Sequence, residues 1–465
     1  MDAHNFAVPI NALLLLLSGL FLLTICLFGL TYPRHALFFQ LSLGPLAIWS
    51  FLWFISEISE HGPSRAIVAG MTTVGLYGIM RVLEHTLIHI LWDPKPPRWI
   101  LRGGRRESSP LPMPETFGGR CFYALDLLTS QRGLSWDADL VWDWCPPTLR
   151  HWKVQSPSRP QFILNKLKWI FLQLLGMDLC ERIFSLSIWE DAWRGSFLDS
   201  SLTQQLVISS TVCAGTVLSI SFYYNITATS AVLLGSSPNS WPPMFISPFG
   251  AHSLKEFWSR RWHLMFRRVF DRMSLPFIRS ILAMVGQNAG VVAGIVRGVV
   301  TFTASAILHL IVMQRVGIWD YHNGGEGGKY PTWWDTDVFE FFVIQAVGVL
   351  VEVSLLEPAI GRVFPQKRIT RRDRKVANGV RDQRNGQSIA QDSGHVLNDV
   401  QKEGSSEESR SRWEGILILR LYAWLFLLWT GRWWTNKWAQ VGFLTPQEKV
   451  VPVSILAIVK RWYAI

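Results

Sequence analysis

An all-α fold, a polytopic transmembrane helical bundle of about eight or nine spans, is what this 465-residue sequence predicts, and three observations carry the expectation. Hydrophobic residues make up 49% of the chain and the mean hydropathy is +0.20. The chain holds 24 tryptophans, a residue that concentrates at membrane–water interfaces, where its amphipathic ring is favoured. Long apolar segments alternate with polar stretches rich in Lys and Arg. The lipid bilayer is therefore the expected surroundings. The net charge of +11 is explained by cytoplasm-facing loops, and no motif points to a nucleic-acid partner. Five cysteines, Cys26, Cys121, Cys145, Cys180 and Cys213, stand far apart without a CxxC pair, so neither a disulfide framework nor a zinc site is expected.

The elements follow in chain order. Residues 9–32 are uncharged and long enough to cross the hydrocarbon core. The preceding residues lack the basic start of a signal peptide, so this span is expected to be retained. Residues 37–55 form a second span and 66–92 a third, the latter carrying Arg81, Glu84, His85 and His89; ionisable groups in a span face the bundle interior or a partner. These N-terminal helices, 1–92, are followed by a basic cytoplasmic loop, 93–161. A core of 162–361 comes next, with spans at 162–180, 202–234, 290–313 and 338–357. Residues 362–412 are a disordered basic and polar insert: Lys367, Arg368, Arg371, Arg372, Arg374 and Lys375 open it, and a Gln-, Ser- and Glu-rich tail without apolar periodicity follows. Such a segment buries too little apolar surface to offset its ordering entropy. The C-terminal helices, 413–465, supply a span at 415–429 and a short one at 450–459. With a lumenal N-terminus, the three most basic loops fall on the cytoplasmic side, as the positive-inside rule requires.

Chemistry concentrates between residues 241 and 313. Thr301, Ser305 and His309 recur every four residues on one helix face of an otherwise apolar span. Such a histidine is compatible with a packing contact to a neighbouring helix and with a general base, since intramembrane ionisable residues are functional candidates by default. Upstream, residues 255–272 are basic and aromatic around most of a helix circumference. They suit an interfacial helix and equally a phosphate-binding patch, for which Arg offers forked donors. His85 and His89, four apart, make one HxxxH pair; a metal site needs more ligands than that, and no metal is expected. The glycine-rich run at 324–330 departs from a phosphate loop at Asn323 and Tyr330. Asn225 opens a glycosylation sequon, which its place in a span discounts.

These residues resemble the wax-synthase-like branch of the membrane-bound O-acyltransferase superfamily. Residues 253–268, SLKEFWSRRWHLMFRR, are similar to the family pattern S-L-x-[DE]-F-W-[GS]-R-R-W-[NH], and the His309 span is similar to its S-G-x-x-H segment. Trp241-Pro242-Pro243-Met244-Phe245 and Arg132-Gly133-Leu134-Ser135-Trp136 resemble fungal members that acetylate terpenoid and polyketide alcohols. The likeness covers about two-thirds of the chain and leaves out the insert. Ala306 stands where the family often has Gly, Leu310 where plant members often have Glu, and His263 where much of the superfamily has Asn.

The resemblance implies transfer of an acyl group, acetyl above all, from acyl-CoA as co-substrate to a hydroxyl of a hydrophobic alcohol acceptor, in the endoplasmic reticulum membrane and with no permanently bound cofactor. It implies His309 as general base and His263 as the residue that polarises the thioester or steadies its oxyanion. Arg260, Arg261, Arg267, Arg268 and Trp258 would meet the coenzyme. A wax synthase, joining a long acyl chain to a fatty alcohol, is the near alternative. A transporter is the alternative from another class, but it predicts inverted repeats, and none is visible. A third reading, a scaffold without activity, leaves the basic patch as a lipid anchor.

Overall fold

The computed structural model describes residues 8–102, 109–150, 158–186, 197–262, 264–285, 290–322, 336–363 and 394–443. The expected helical bundle is what folds. Seven helices among the described residues are long and apolar enough to cross a membrane. They are α1 (Ile10–Gly29), α2 (Ala36–His61), α3 (Arg65–Leu83, continued to Leu91), α6 (Leu202–Leu233), α8 (Gly290–His322), α9 (Thr336–Val351, continued to Val363) and the C-terminal part of α10 (Gly394–Gln440). The sequence suggested one or two more. The segment at 162–180 lies in the helix α5 (Arg159–Phe184), but Lys166, Lys168, Gln173 and Asp178 interrupt its apolar character. Residues 450–459 lie outside the described residues, as do 364–393 of the insert and the glycine-rich run 324–330. The helix α10 starts at Gly394 and so takes in the second half of the insert, a stretch rich in the helix formers Glu, Gln, Lys and Arg.

The described chain divides into two compact units: residues 1–246, 259–346 and 428–465, and residues 247–258 with 347–427. In the first unit, α1 and α2 pack along Leu16, Leu23 and Leu27 against Phe51, Phe54, Ile55 and Ile58. Close approach is bought by small residues, as is usual between helices in lipid. The Phe51 ring lies where a Cβ on Gly78 of α3 would come within 2.6 Å, and where one on Gly19 of α1 would come within 2.9 Å.

The 93–161 segment is more than a polar loop. Trp99–Leu101 (β1) and Leu140–Trp142 (β2) pair antiparallel, Trp99 opposite Trp142, and α4 (Phe117–Thr129), capped by the Thr116 hydroxyl, lies beside them. Trp99, Tyr123 and Trp142 interlock with ring centroids 5.2 to 5.4 Å apart and join the core built on α1 and α2. Asp126 ties the segment together by accepting from Trp99 Nε1 at 2.9 Å and from the Trp136 backbone N–H at 2.8 Å. Gly133 adopts φ +80°, and a side chain there would meet the Cys145 backbone at 2.6 Å, so the Arg132–Trp136 stretch turns where only glycine fits. Arg132 crosses to the carbonyls of Pro243 (2.7 Å) and Pro242 (3.0 Å), fastening this turn to the Trp241–Phe245 approach.

Farther along, α5 and α6 pack through Met177 and Phe222. Lys166 donates to Asn225 Oδ1 at 2.8 Å and Asn225 donates to Gln173 at 3.0 Å. The sequon asparagine is thus a buried structural contact. α3 and α8 meet α7 (Arg267–Val285) in a cluster of Val68, Met80, Phe266, Val269, Phe270, Leu308, Val312 and Val316. Trp319 Nε1 donates to the Gly62 carbonyl at 2.5 Å, and Arg65 pairs with Asp320, fixing the end of α8 to the start of α3.

In the second unit, Ser253 caps the short turn Leu254–Glu256 by accepting from the Glu256 N–H at 3.0 Å. Glu256 in turn accepts from the His252 N–H at 2.9 Å. Phe249 stacks on Trp424 at 6.0 Å, and Tyr422 donates to the Gly348 carbonyl at 2.9 Å.

Candidate active site

His309 sits in the middle of α8, where three side-chain faces meet different surroundings. One turn earlier, the Ser305 carbonyl lies 2.8 Å from Nδ1. A carbonyl oxygen only accepts, so Nδ1 carries the proton and the lone pair of the neutral ring lies on Nε2. Phe342 of α9 covers the imidazole with ring centroids 4.9 Å apart and planes 30° apart, and Trp434 of α10 meets it edge-on at 5.0 Å and 83°. Phe341 stacks on Trp434 at 5.3 Å, and Ala306, Met313 and Val338 close the base of this cluster. The neighbouring face of α8, with Leu308, Val312 and Val316, holds Phe266 from the basic motif and Val269 and Phe270 just beyond it. The arrangement is a half-buried imidazole with one nitrogen anchored, walled by aromatic rings. An imidazole so held can accept a proton at Nε2.

The basic motif is less uniform than its sequence suggested. Trp258, in the second unit, packs edge-on against Phe257 at 5.0 Å. In the first unit, Arg260 is exposed. Arg261 is half-buried and donates to the Ile246 carbonyl at 3.0 Å. Arg267 is exposed beside Asp271, at 3.8 Å. Arg268 turns inward, where it pairs with Glu84 and lies over the Trp144 ring at 4.1 Å; burial lowers its pKa and the Glu84 carboxylate opposes the shift. Arg260 and Arg267 therefore keep access to a solvent-borne phosphate, whereas Arg261 and Arg268 are engaged within the protein. His263 lies outside the described residues.

Of the HxxxH pair, His85 falls on a π-helical turn, Glu84–Ile88, in the continuation of α3, and His89 lies just past it. There His85 stands 3.6 Å from the Glu84 carboxylate, and Arg81 donates to Glu84 at 2.7 Å and to the Leu127 carbonyl at 2.6 Å. Glu84 thereby gathers two arginines and a histidine around one buried carboxylate. Sequence reasoning placed these residues in the bundle interior but did not join them to the motif. It also missed Phe342 and Trp434. Trp434 lies past the end of the span expected at 415–429, and nothing in its local pattern links it to His309. Glu352, a carboxylate in the middle of an apolar span, was a legible signal.

The fold is that of a multi-pass helical membrane protein with a histidine inside one span, and comparison with known proteins shows what it is similar to. Residues 241–325, which hold both the basic motif and His309, match the model of the Membrane bound O-acyl transferase family. The chain is 26% identical over 49% of its length, and 74% of the relative's, to acetyltransferase ataH of Aspergillus terreus. It is 30% identical over 28% of its length to the probable long-chain-alcohol O-fatty-acyltransferase 2 of Arabidopsis thaliana, and 27% identical over 28% to the long-chain-alcohol O-fatty-acyltransferase of Simmondsia chinensis. In both plant proteins the match spans 32% of the relative. These findings support an acyltransferase, with the likeness to the plant proteins confined to about a third of their length.

Proposed function

We propose that this protein transfers an acyl group, most readily acetyl, from acyl-CoA to a hydroxyl of a hydrophobic secondary metabolite of the terpenoid or polyketide type, in the endoplasmic reticulum membrane. The observation that carries the reading is the fixed tautomer of His309: Nδ1–H is held by the Ser305 carbonyl at 2.8 Å, which leaves Nε2 as the base. In the reaction, Nε2 takes the hydroxyl proton as the acceptor oxygen forms its bond to the thioester carbonyl carbon. The tetrahedral adduct then collapses, the C–S bond breaks, and the leaving thiolate recovers the proton from Nε2. Base catalysis of this kind contributes on the order of 10²–10⁴-fold. His263 is assigned to the developing oxyanion, and Arg260 and Arg267 to the coenzyme phosphates, as charge-assisted donors. Trp258 would flank the coenzyme. The aromatic walls of Phe342 and Trp434 suit a rigid, apolar acceptor.

A wax synthase remains the alternative within the same chemistry. The test uses membranes containing the full chain, with labelled acetyl-CoA and palmitoyl-CoA offered separately against terpenoid and fatty alcohols. Acetylation of a cyclic alcohol with little palmitoyl transfer is the expected result. Preferential palmitoylation of a straight-chain alcohol would overturn the acetyl assignment, and no transfer from either donor would overturn the acyltransferase.

A further inference from the structure

Two glutamates hold the two ends of the motif at 253–268. Each is fully buried, at 0% exposure, and each is the first residue of a π-helical turn that interrupts a span: Glu84–Ile88 in α3 and Glu352–Leu356 in α9. Such turns are uncommon, distort the regular ladder, and occur frequently at functional sites. A buried carboxylate is costly unless its lone pairs are occupied. Both carboxylates take donors from the motif, Glu84 together with one from its own span. In the second unit, Oε2 of Glu352 accepts from the Leu254 N–H at 2.6 Å and Oε1 from the Lys255 N–H at 3.1 Å. These are free donors at the start of the turn that leads to Trp258. A Cβ on Gly348, one turn before Glu352, would come within 2.9 Å of the Leu254 side chain, so the helix packs closely on that residue of the motif. In the first unit, Glu84 accepts from Arg268 through one oxygen and from Arg81, at 2.7 Å, through the other. Arg268 closes the same motif.

We propose that Glu352 and Glu84 are positioning residues for acyl transfer. Neither touches the reacting atoms. Glu352 fixes the backbone that presents Trp258, and Glu84 fixes the segment that presents Arg260 and Arg267, each within its own unit. The kinetic consequence rests on the acyltransferase reading, whereas the clasp itself is a matter of structure. The roles also explain why a span tolerates a buried carboxylate and a π turn at the same point: the turn brings the acid to the motif, and the motif supplies its donors.

The experiment pairs hydrogen-exchange mass spectrometry with steady-state kinetics on the full-length protein in detergent, for wild type, Glu352→Gln, Glu352→Asp and Glu84→Gln. Replacing a charged acceptor of two backbone N–H groups is expected to speed exchange at Leu254 and Lys255 by about tenfold or more, with peptides from α1 and α2 unchanged. In the same variant KM for acetyl-CoA rises about tenfold while kcat stays within about twofold, because Trp258 is assigned to the coenzyme. Glu352→Asp, which keeps the charge on a shorter arm, recovers part of both losses and guards against simple misfolding of the Gln variant. Glu84→Gln is expected to raise KM for acetyl-CoA and to speed exchange over Arg267–Phe270. Active wild type with unchanged exchange in the variants would overturn the clasp. Faster exchange with unchanged KM for acetyl-CoA would overturn the positioning role. Faster exchange in variants of a wild type without transfer would overturn the acyltransferase reading and leave the clasp standing.

Discussion

Arg268, the last residue of the basic aromatic motif, closes an ion pair on Glu84 of the third span. This relationship separates the arginines of the motif by what they can do. A buried guanidinium paired to a buried carboxylate is committed, because removing either partner strands the other charge in a low-dielectric interior. Arg260 has no such commitment among the described residues. Arg268→Ala is therefore expected to cost about 3 kcal/mol of stability, seen as a lower melting temperature in detergent. Arg260→Ala should leave that temperature unchanged and raise KM for acyl-CoA about tenfold, the loss of a charge-assisted contact worth roughly 1.5 kcal/mol. The reverse pattern would exchange their roles.

Trp434 meets the His309 ring edge-on and is stacked by Phe341. Aromatic pairs of this type contribute about 0.5–1.5 kcal/mol beyond their buried area. Trp434→Ala is expected to lower kcat/KM by about tenfold and to admit bulkier acceptors, whereas Trp434→Phe keeps most of the activity. Competition assays with small and large cyclic alcohols check both points. An unaltered acceptor preference in Trp434→Ala would remove Trp434 from the acceptor wall.

Asp126 gives the 93–150 segment a pH dependence. Burial pushes its carboxyl up from 3.8 to about 6, against the opposing hydrogen bonds from Trp136 and Trp99. A folded pKa above the unfolded one means that the native state holds the proton more tightly, so its contribution is fully present below about pH 4 and is lost as pH rises through about 6. The change is on the order of 3 kcal/mol. Melting temperatures of wild type measured across that window should fall relative to those of Asp126→Asn, which does not titrate. Parallel curves for the two proteins would contradict the burial of an acid there.

The ring of Phe51 occupies the space that side chains at Gly78 and Gly19 would need. Overpacking a core costs about 1–3 kcal/mol, so Gly78→Ala should lower the melting temperature and Phe51→Leu in the same chain should restore part of it. Additive losses in the double variant would show that the two positions are not in contact.

Much of this was legible in the sequence. Long uncharged runs place the spans, since hydrocarbon leaves a backbone few alternatives to the helix, and the four-residue spacing of Thr301, Ser305 and His309 gave the polar face of that span its direction. The fold of 93–150 was not legible: its two three-residue strands and the Asp126 hub are set by contacts between Trp99, Tyr123, Trp136 and Trp142, which no local period announces. Nor was the split fate of the arginines. Arg267 and Arg268 are adjacent and chemically alike, and only the position of Glu84, far earlier in the chain, turns one inward. Trp434 was missed for the same reason, its role being fixed by what α10 packs against.

The most direct measurement is acyl transfer by wild type and His309→Ala at matched amounts of folded protein, with labelled acetyl-CoA and a responsive cyclic alcohol. Loss of about 10²–10⁴-fold in kcat, with KM for acetyl-CoA little changed, is the predicted result for removal of a general base. Equal turnover by the two proteins would contradict the assignment of His309 as the base.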